Sequence, residues 1–406
     1  MNKYEALKHY FDYDSYRNNQ EEIIDSLIEG NDTIAILATG GGKSLCFQIP
    51  ALLSDGITLV ITPLISLMQN QVYELKKRKI KAEYITSEMD GFLLNDIIKR
   101  LENGEIKLLY ISPERLENGR YYAIFKKLNI SYIVLDEAHC ISIWGNDFRP
   151  SYQSIKNLIN NLNPRPTIAA FTATANKKVI SDIEEILDMK DTNIFKSGFD
   201  RPNLYYAVYS VKNKMDFIIK KLLSNKDKII LIYTLTKKEA EVVYNKLKKL
   251  GFEVGLYHGG LDSKVKEECQ DYFMREKYKI IVATNAFGMG INKPNIRIVI
   301  NYSLPLSLED LSQQSGRCSR DGEDGECILL FDPADIKTCE YFIKETKCDS
   351  KELKKNLIKN KYSQLKSVID YATKKKCLHH FMLDYFGQMS KNKCFMCNNC
   401  IKRRRW

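Results

Sequence analysis

The chain has 406 residues, of which 44% are hydrophobic, and a formal net charge of +11. This length allows two or three domains with their own cores, and the hydrophobic share excludes a disordered chain. No apolar run approaches the roughly 20 residues of a membrane-spanning helix, and residues 1–14 lack the apolar segment of a signal peptide. We therefore expect a soluble intracellular protein. The sequence does not distinguish a nucleus from the bacterial cytoplasm or nucleoid. The positive charge favours a polyanionic partner, although a lysine-rich composition alone gives the same balance.

Short β-branched runs alternate with amphipathic segments along most of the chain. Such runs, bounded by small or polar residues, are typical of parallel strands that helices cover on both faces. The strands predicted in this way are Thr33–Leu37, Thr58–Ile61, Lys107–Ile111, Tyr132–Leu135 and Thr167–Phe171 in the first half, and Ile229–Tyr233, Val254–Tyr257, Lys279–Val282, Ile296–Asn301 and Glu326–Phe331 in the second. We therefore predict an α/β protein with two tandem parallel-sheet domains.

The predicted join between these domains lies near residues 198–203, where Asp200-Arg201-Pro202-Asn203 is typical of a turn or linker. From about Pro333 the pattern becomes helical and charged, and the last thirty or so residues contain a cysteine cluster. We predict a first domain over residues 1–199, a second over 200–335, and a helical, cysteine-rich domain over 336–406.

A glycine-rich segment, Ala38-Thr39-Gly40-Gly41-Gly42-Lys43-Ser44, follows the first predicted strand and precedes a helical pattern. This context is the one that a phosphate-binding loop requires. The glycines let backbone N–H groups approach phosphate oxygens, Lys43 would reach the β and γ phosphates, and Ser44 would bind Mg²⁺. The strict pattern has another glycine where Leu37 stands, so the match is relaxed at that position.

The acids Asp136 and Glu137 directly follow the buried run Tyr132–Leu135. An acid at the carboxyl end of a parallel strand faces the ligand crevice of the sheet. Asp136 would hold Mg²⁺ through water, and Glu137 would orient and activate the attacking water. Shortly afterwards, Trp144 and Phe148 offer faces for base stacking, and Arg149 offers a guanidinium for phosphate. The alternative for Trp144 is packing in the core.

The eleven cysteines divide into a scattered set and a C-terminal cluster. Scattered cysteines in an intracellular chain are mostly buried thiols; here they are Cys46, Cys140, Cys269, Cys318, Cys327, Cys339 and Cys348. Cys377, Cys394, Cys397 and Cys400 have a spacing that suits tetrahedral Zn²⁺. An Fe–S cluster also suits four thiolates, and His379 or His380 could replace Cys377 as a ligand.

Together these motifs resemble the RecQ family of DNA helicases, which belongs to helicase superfamily 2 and has a DEAH box. The resemblance rests on YRNNQ (16–20), TGGGKSLCFQ (39–48), TPLISLMQNQV (62–72), YISPERL (110–116), DEAHCISIWGNDFRP (136–150), FTATA (171–175), ATNAFGMGINKPNIR (283–297) and QQSGRCSRDG (313–322). It implies two RecA-like domains and the cofactors ATP, Mg²⁺ and Zn²⁺. It also implies translocation 3′ to 5′ on single-strand DNA and unwinding of tailed duplexes in DNA repair or recombination.

The resemblance assigns roles to further residues. The ATP contacts would be Arg17, Gln20, Thr39, Gly40, Gly41, Gly42, Lys43, Ser44 and Gln313, with Gln20 recognising adenine, unless it only begins a helix. Arg320 would be the arginine finger and Arg317 would assist at the γ phosphate, both from the second domain, so that hydrolysis requires closure. The DNA and coupling contacts would be Trp144, Phe148, Arg149, Thr172, Thr174, Thr284 and Asn285, with residues 288–290 alongside.

Several positions depart from the family pattern. Ile143 and Asn146 stand where the family usually has Gln and His, which weakens the expected coupling of DNA binding to ATP hydrolysis. Ser319 stands where the family usually has Gly, Gln314 stands where it often has Glu, and Asn292 stands where it usually has Asp.

The chain ends at Trp406, shortly after Cys400, so we expect no winged-helix domain, and residues 402–405 would offer only a basic phosphate contact. Two alternatives to a DNA helicase therefore stay open. One is a single-strand DNA translocase or remodelling ATPase that unwinds weakly. The other is an RNA helicase, because RNA-acting relatives share the DExH core.

Overall fold

A computed structural model of the protein describes residues 1–17, 19–38, 40–86, 89–117, 119, 121–145, 148–197, 200–287, 293–348, 350–388 and 393–401. The expected functional residues Thr39, Asn146, 288–290, Asn292 and 402–405 lie outside these ranges. The chain divides into two compact units, Met1–Gly198 and Phe199–Trp406.

The first unit is built on a parallel sheet with the strand order β3-β4-β2-β5-β6-β1-β7 in its described residues. The strands are β1 Thr33–Leu37, β2 Ile57–Ile61, β3 Ala82–Ile85, β4 Leu108–Ile111, β5 Ile130–Leu135, β6 Thr167–Thr172 and β7 Asn193–Ser197. Every residue of β1, β2 and β4 is buried, as expected for strands with helices on both faces.

The helices of the first unit include a long amphipathic set and several short turns. They are α1 Lys3–Ala6, α2 Gln20–Ile28, α3 Lys43–Leu53, α4 Ile65–Lys77, α5 Gly91–Glu102, α6 Tyr122–Phe125, α7 Ser154–Asn160 and α8 Lys177–Leu187. Helix α8 begins where the Asn176 side chain accepts hydrogen bonds from the backbone N–H groups of Lys178 and Val179, both at 3.0 Å.

The second unit contains a parallel sheet of order β10-β11-β9-β12-β13-β8. Its strands are β8 Leu204–Ser210, β9 Ile229–Tyr233, β10 Val254–Tyr257, β11 Ile280–Ala283, β12 Ile296–Asn301 and β13 Gly325–Phe331. Its helices are α9 Lys214–Leu223, α10 Lys237–Lys249, α11 Ser263–Met274, α12 Leu308–Ser315, α13 Ala334–Lys344, α14 Lys351–Thr373 and α15 Leu378–Tyr385. One hydrophobic cluster on this sheet joins α12, α14 and α15, through Leu311, Val368 and Leu378 among others.

The predicted fold class is confirmed, and each predicted strand has a counterpart in the described sheets. Three strands were not predicted, namely β3, β7 and β8. All three lie at sheet edges. Within the described residues, no helix combines the length and the apolar character needed to cross a membrane.

The order of the first sheet decides where its functional residues meet. Strands β5, β6 and β1 are neighbours and run parallel. At or directly after their carboxyl ends lie the acids Asp136 and Glu137, the pair Thr172 and Thr174, and the glycine-rich loop. These three segments therefore lie along one edge of the sheet, where open parallel sheets bind ligands.

Candidate active site

The glycine-rich loop turns sharply between β1 and α3. Gly40 and Gly42 have φ angles of 86° and 78°, in the left-handed region that glycine adopts without a steric penalty. Gly42 also forms the N-terminal cap of α3, so that Lys43 and Ser44 begin the helix. Leu37, which stands where the strict motif has a glycine, is the last residue of β1 and is fully buried.

Arg17 and Gln20 brace this loop from the segment that precedes α2. The Gln20 amide donates to the carbonyl oxygens of Gly41 at 3.3 Å and Gly42 at 3.1 Å, and its Oε1 accepts from the Arg17 N–H at 2.9 Å. The Arg17 guanidinium donates to the Gly40 carbonyl at 3.4 Å. These bonds occupy both amide hydrogens of Gln20, so the expected recognition of adenine requires an exchange of partners.

Asp136 and Glu137 form the charged centre of the site together with Lys43. The Lys43 Nζ lies 3.6 Å from Glu137 Oε1. Asp136 is buried, and this burial raises the pKa of its carboxyl to about 6, with Lys43 opposing the rise and Glu137 adding to it. Because the raised pKa reports a cost of holding the charge, a cation bound here would recover that cost.

A buried polar chain leads from Glu137 to the end of β6. The His139 Nδ1 lies 3.4 Å from Glu137 Oε2 and 2.9 Å from Thr172 Oγ1. Thr172 Oγ1 in turn accepts from the Thr174 N–H at 3.1 Å. Thr172 is therefore hydrogen-bonded to His139, whose ring lies within ion-pair distance of Glu137. His139 was not predicted as a member of this site.

The aromatic loop is held by α8. Trp144 is half-buried, and the Lys178 Nζ lies 3.2 Å from the centroid of its ring. The Trp144 N–H donates to Ser142 Oγ at 3.1 Å, and Ser142 Oγ donates to the Asp182 carboxylate. Lys178 and Asp182 are one helical turn apart, so one face of α8 fixes both the ring and the backbone of the loop.

Arg149 and Phe148 follow in the same loop and are both half-buried. The Arg149 guanidinium donates to the Pro63 carbonyl at 3.3 Å and lies 3.5 Å from Glu114 Oε1. Arg149 thereby joins the DEAH segment to the neighbouring motifs at residues 62–72 and 110–116.

In the second unit, Arg317 and Arg320 follow α12, and Gln313 lies half-buried on that helix. Arg317 is 6% exposed, and the Arg320 Nε donates to the Gly316 carbonyl at 3.2 Å. Burial, with the nearby charge of Arg317, lowers the pKa of Arg320 to about 9. Since a guanidinium keeps its proton at neutral pH, the lowered pKa describes a cationic site that an anion would stabilise.

Two departures from the family pattern have a physical reason here. Gln314 accepts from Asn301 and donates to Asn285, which a glutamate in its place could not do. Ser319 occupies a left-handed backbone conformation with φ 45°, which explains a usual glycine at this position. Its hydroxyl compensates by accepting from Arg297 at 3.3 Å and donating to the Asp324 carbonyl at 3.2 Å.

The turn that carries Ser319 is also held by residues of the predicted linker, which were not predicted as part of the site. The Arg201 guanidinium donates to the carbonyls of Cys318 and Ser319, both at 2.9 Å. Asn203 donates to the Glu323 carbonyl at 2.7 Å. Thr284 is buried, whereas Asn285 is exposed and also donates to Asp310 Oδ1 at 3.3 Å.

The four clustered cysteines converge as the spacing predicts. The sulphur atoms of Cys377, Cys394, Cys397 and Cys400 all lie within 4.8 Å of one another. For comparison, zinc–sulphur bonds of about 2.3 Å in a tetrahedron place sulphurs roughly 3.8 Å apart. Backbone N–H groups point at two of them, from Leu378 to Cys397 at 3.4 Å and from Met396 to Cys394 at 3.2 Å. The donor set therefore fits a structural Zn²⁺ ion.

This cysteine cluster is attached to strand β8. The Tyr206 N–H donates to the Met396 carbonyl and the Asn398 N–H to the Tyr206 carbonyl, both at 3.0 Å. His379 does not substitute for a cysteine, because its ring nitrogens lie 3.4 Å from Asp200 Oδ1 and 3.3 Å from the Arg201 carbonyl.

Comparison with known protein families agrees with this arrangement. The chain matches the DEAD/DEAH box helicase model over residues 17–183, the helicase conserved C-terminal domain over 213–322, and the RecQ zinc-binding model over 333–401. It is 40% identical to the ATP-dependent DNA helicase RecQ of Bacillus subtilis over 98% of this chain and 66% of that protein. The chain belongs to the RecQ family.

A second relative and one solved structure extend the comparison. The probable ATP-dependent DNA helicase RecS of Bacillus subtilis is 36% identical, over 86% of this chain and 71% of that protein. The structure of S. cerevisiae Dbp5 bound to RNA and ADP BeF3 matches 89% of this chain and 97% of that chain, with 19% identity and a TM-score of 0.66. That likeness shows the fold alone. The present chain spans just under two-thirds of the length of Bacillus subtilis RecQ.

Removal of the Lys178 ammonium should expose the face of Trp144. The chain has two tryptophans, so a Trp406→Phe background leaves Trp144 as the single fluorophore. In that background we expect Lys178→Met to increase the emission, because an ammonium in contact with an indole quenches it. Single-strand DNA should also bind about two- to fivefold more tightly, since a cation–π contact of about 0.5–1 kcal/mol no longer has to be displaced. Lys177→Met is the matched control. An identical spectrum in both variants would mean that Lys178 points into solvent and does not contact Trp144.

Substitution of Ser319 should separate the cost of its left-handed backbone from the stabilisation by its hydroxyl hydrogen bonds. Ser319→Ala keeps the left-handed conformation and loses the hydroxyl bonds, so we expect the free energy of unfolding to fall by about 1–3 kcal/mol. Ser319→Gly loses the same bonds but relieves the backbone, and should cost roughly 1 kcal/mol less. Denaturant titration of both variants measures the difference. Equal losses would mean that the φ angle carries no strain.

Loss of the metal should destabilise the second unit. We expect treatment with a zinc chelator, or Cys397→Ser, to lower its thermal midpoint by roughly 10 °C, the shift expected when a unit of this size loses a few kcal/mol. Metal analysis should return one Zn²⁺ and no iron per chain. Cys348→Ser is the control, because that thiol lies outside the cluster. An unchanged midpoint would contradict a structural metal.

Proposed function

We propose that the chain is an ATP-dependent DNA helicase of RecQ type, which couples ATP hydrolysis to 3′-to-5′ movement on single-strand DNA and to duplex unwinding in repair or recombination. The observation that carries this proposal is the meeting of Lys43, Asp136 and Glu137 at one edge of the first sheet, with Lys43 Nζ 3.6 Å from Glu137 Oε1. A lysine at the start of a helix beside two acids is the arrangement that phosphoryl transfer from a nucleoside triphosphate requires.

In this proposal each site residue of the first unit has a defined role. Backbone N–H groups of residues 39–44 hold the phosphates, and Lys43 releases Glu137 to bind the β and γ phosphates. Ser44 and Asp136 would hold Mg²⁺, and the ion would supply charge neutralisation at the transferred phosphoryl group. The bound cation would return the raised pKa of Asp136 toward its ordinary range, so that its carboxylate stays ionised. Glu137 then accepts the hydrogen bond of the attacking water.

Arg320 is the proposed arginine finger, with Arg317 beside it. Both carry a guanidinium in a partly desolvated position, and the lowered pKa of Arg320 means that an anionic phosphate would stabilise the group. An arginine in this role stabilises the transition state more than the ground state, because negative charge develops there.

DNA is the proposed polymer, and Trp144, Phe148 and Arg149 are its proposed contacts on the first unit. Aromatic faces next to a guanidinium suit stacked bases and a phosphate. The chain His139–Thr172–Thr174 connects Glu137 to the segment before α8, and α8 in turn holds Trp144. Through these contacts, a base on Trp144 would alter the position of the catalytic acid.

The deciding experiment measures ATP hydrolysis with and without 3′-tailed duplex DNA. We expect DNA to stimulate hydrolysis, and Glu137→Gln to reduce the stimulated rate at least about a hundredfold while ATP and DNA still bind, because only the alignment of water is lost. Glu102→Gln, at an exposed acid on α5, is the matched control. Unchanged hydrolysis in Glu137→Gln would contradict the assignment of the catalytic acid.

Strand displacement on the same substrate separates the candidate activities. Unwinding of 3′-tailed but not 5′-tailed duplexes supports the helicase proposal. Robust DNA-stimulated hydrolysis with no unwinding would identify a translocase instead, and stronger stimulation by RNA of the same sequence would identify an RNA-acting enzyme.

A further inference from the structure

The peptide group that joins Asp136 to Glu137 leads into an uncommon backbone conformation. Glu137 has φ 52° and ψ 45°, in the left-handed region that is unfavourable for a residue with a Cβ atom. Asparagine and aspartate enter this region more readily, because their short side chains can bond to the local backbone. A residue keeps such a conformation only where its surroundings enforce it. The contacts of this peptide are therefore part of what positions Glu137.

Tyr152 holds the oxygen of this peptide. Its hydroxyl donates to the Asp136 carbonyl at 3.1 Å, and its side chain is fully buried. Burial raises the pKa of the Tyr152 hydroxyl well above its ordinary value, so the group keeps its proton and acts as the donor. Tyr152 belongs to the short 3₁₀ turn Pro150–Gln153, which follows the aromatic loop. A residue outside the DEAH segment thus fixes the backbone between the two acids.

The neighbouring backbone groups are also occupied. The Glu137 N–H donates to Asp136 Oδ1 at 3.0 Å, and the Asp136 N–H donates to the Ile61 carbonyl of β2 at 2.9 Å. The Glu137 carbonyl accepts from the Cys140 N–H at 2.9 Å. The bond from Tyr152 completes this set, and it holds the peptide without using a side chain of the catalytic pair.

Loss of the Tyr152 bond would let the turn relax. The orientation of the peptide affects ψ of Asp136 and φ of Glu137 together, because the peptide itself is planar and both torsions adjoin it. Relaxation out of the left-handed region changes the torsions at the Glu137 Cα and therefore the direction of its side chain, which now places Oε1 3.6 Å from Lys43 Nζ. The Tyr152 hydroxyl opposes this change, since a buried carbonyl left without a partner is unfavourable.

Backbone hydrogen bonds close a ring through Tyr152. The Cys140 N–H donates to Glu137, the Arg149 N–H donates to the Cys140 carbonyl at 2.9 Å, and the Tyr152 N–H donates to the Arg149 carbonyl at 3.1 Å. The Tyr152 hydroxyl then returns to Asp136. Tyr152 therefore fastens the backbone of Arg149, a proposed DNA contact, to the backbone of the catalytic pair.

We propose that Tyr152 is a positioning residue for ATP hydrolysis, whose hydroxyl fixes the peptide between Asp136 and Glu137 and thereby directs the Glu137 carboxylate at the attacking water. This inference rests on the proposed function, because it takes Glu137 as the catalytic acid. It adds a residue that acts through the backbone of the acids and not on the substrate. Loss of its one oxygen atom should therefore change turnover and leave binding intact.

The test compares Tyr152→Phe with Tyr121→Phe in the full chain. Both variants remove one hydroxyl from a buried tyrosine of the first unit, but no described residue offers the Tyr121 hydroxyl a hydrogen-bond partner. For Tyr152→Phe we expect kcat of ATP hydrolysis to fall roughly tenfold or more, both with and without single-strand DNA, because the catalytic acid is misaligned. The KM for ATP and the affinity for single-strand DNA should stay within about twofold of the values for Tyr121→Phe.

A double-mutant cycle with Glu137→Gln shows whether Tyr152 acts through that residue. In the Glu137→Gln background, Tyr152→Phe should cause little further loss of hydrolysis, because the group that it positions has already lost its role. An equal fractional loss in both backgrounds would mean that Tyr152 acts independently of Glu137, and this result overturns the proposal.

Three other results would also overturn it. An unchanged kcat, even with a lower thermal midpoint, would make the hydroxyl a structural contact only. A higher KM with an unchanged kcat would mean that Tyr152 shapes nucleotide binding. A loss confined to the DNA-stimulated rate would place its effect at Arg149. Tyr152→Phe keeps the ring and its packing, and the thermal midpoint verifies that the variant is folded. Failure of the proposed function is seen separately, as the absence of DNA-stimulated hydrolysis in the unchanged chain.

Discussion

The contact between Lys43 and Glu137 beside the buried Asp136 is the interaction on which the rest of the first unit depends. Two adjacent acids at the end of a buried strand repel each other and lose solvation, so a cation must lie close to them. Lys43 can supply it only because Gly42 takes a left-handed conformation and starts α3 next to β5. Gln20 in turn packs against Gly42, where a Cβ would displace the Gln20 amide and would be strained by the left-handed φ of 78°. The charge pair therefore constrains the loop, the helix and the preceding segment at once.

Two departures from the family motifs are compensated by contacts of the residues that stand there. Gln314 replaces a frequent glutamate, and it donates to Asn285 while it accepts from Asn301. Ser319 replaces a usual glycine in a left-handed turn, and its hydroxyl supplies hydrogen bonds that offset the backbone cost. Ile143 has no such account. On either side of Ile143, helix α8 contacts Ser142 through Asp182 and Trp144 through Lys178.

Most of the fold could be predicted from the sequence because buried parallel strands are continuous apolar runs with clear boundaries. Strands β3, β7 and β8 escaped prediction because Glu83, Lys196 and Tyr209 interrupt their apolar patterns. The glycine-rich loop and the acids were predictable because their residues are close in sequence. Lys178 and Arg201 were not, since each acts through a partner far along the chain and has no local signature.

The segment predicted as a linker shows why such long-range contacts matter. Within the second unit, Arg201 holds the turn of Ser319, and Tyr206, only five positions later, pairs with the backbone around Cys397. His379, which follows the first cysteine of the cluster, bonds to the carbonyl of Arg201. The start of β8 is therefore fixed by the cysteine cluster on one side and fixes the arginine turn on the other. A structural metal would in this way stabilise the position of Arg317 and Arg320 without touching either.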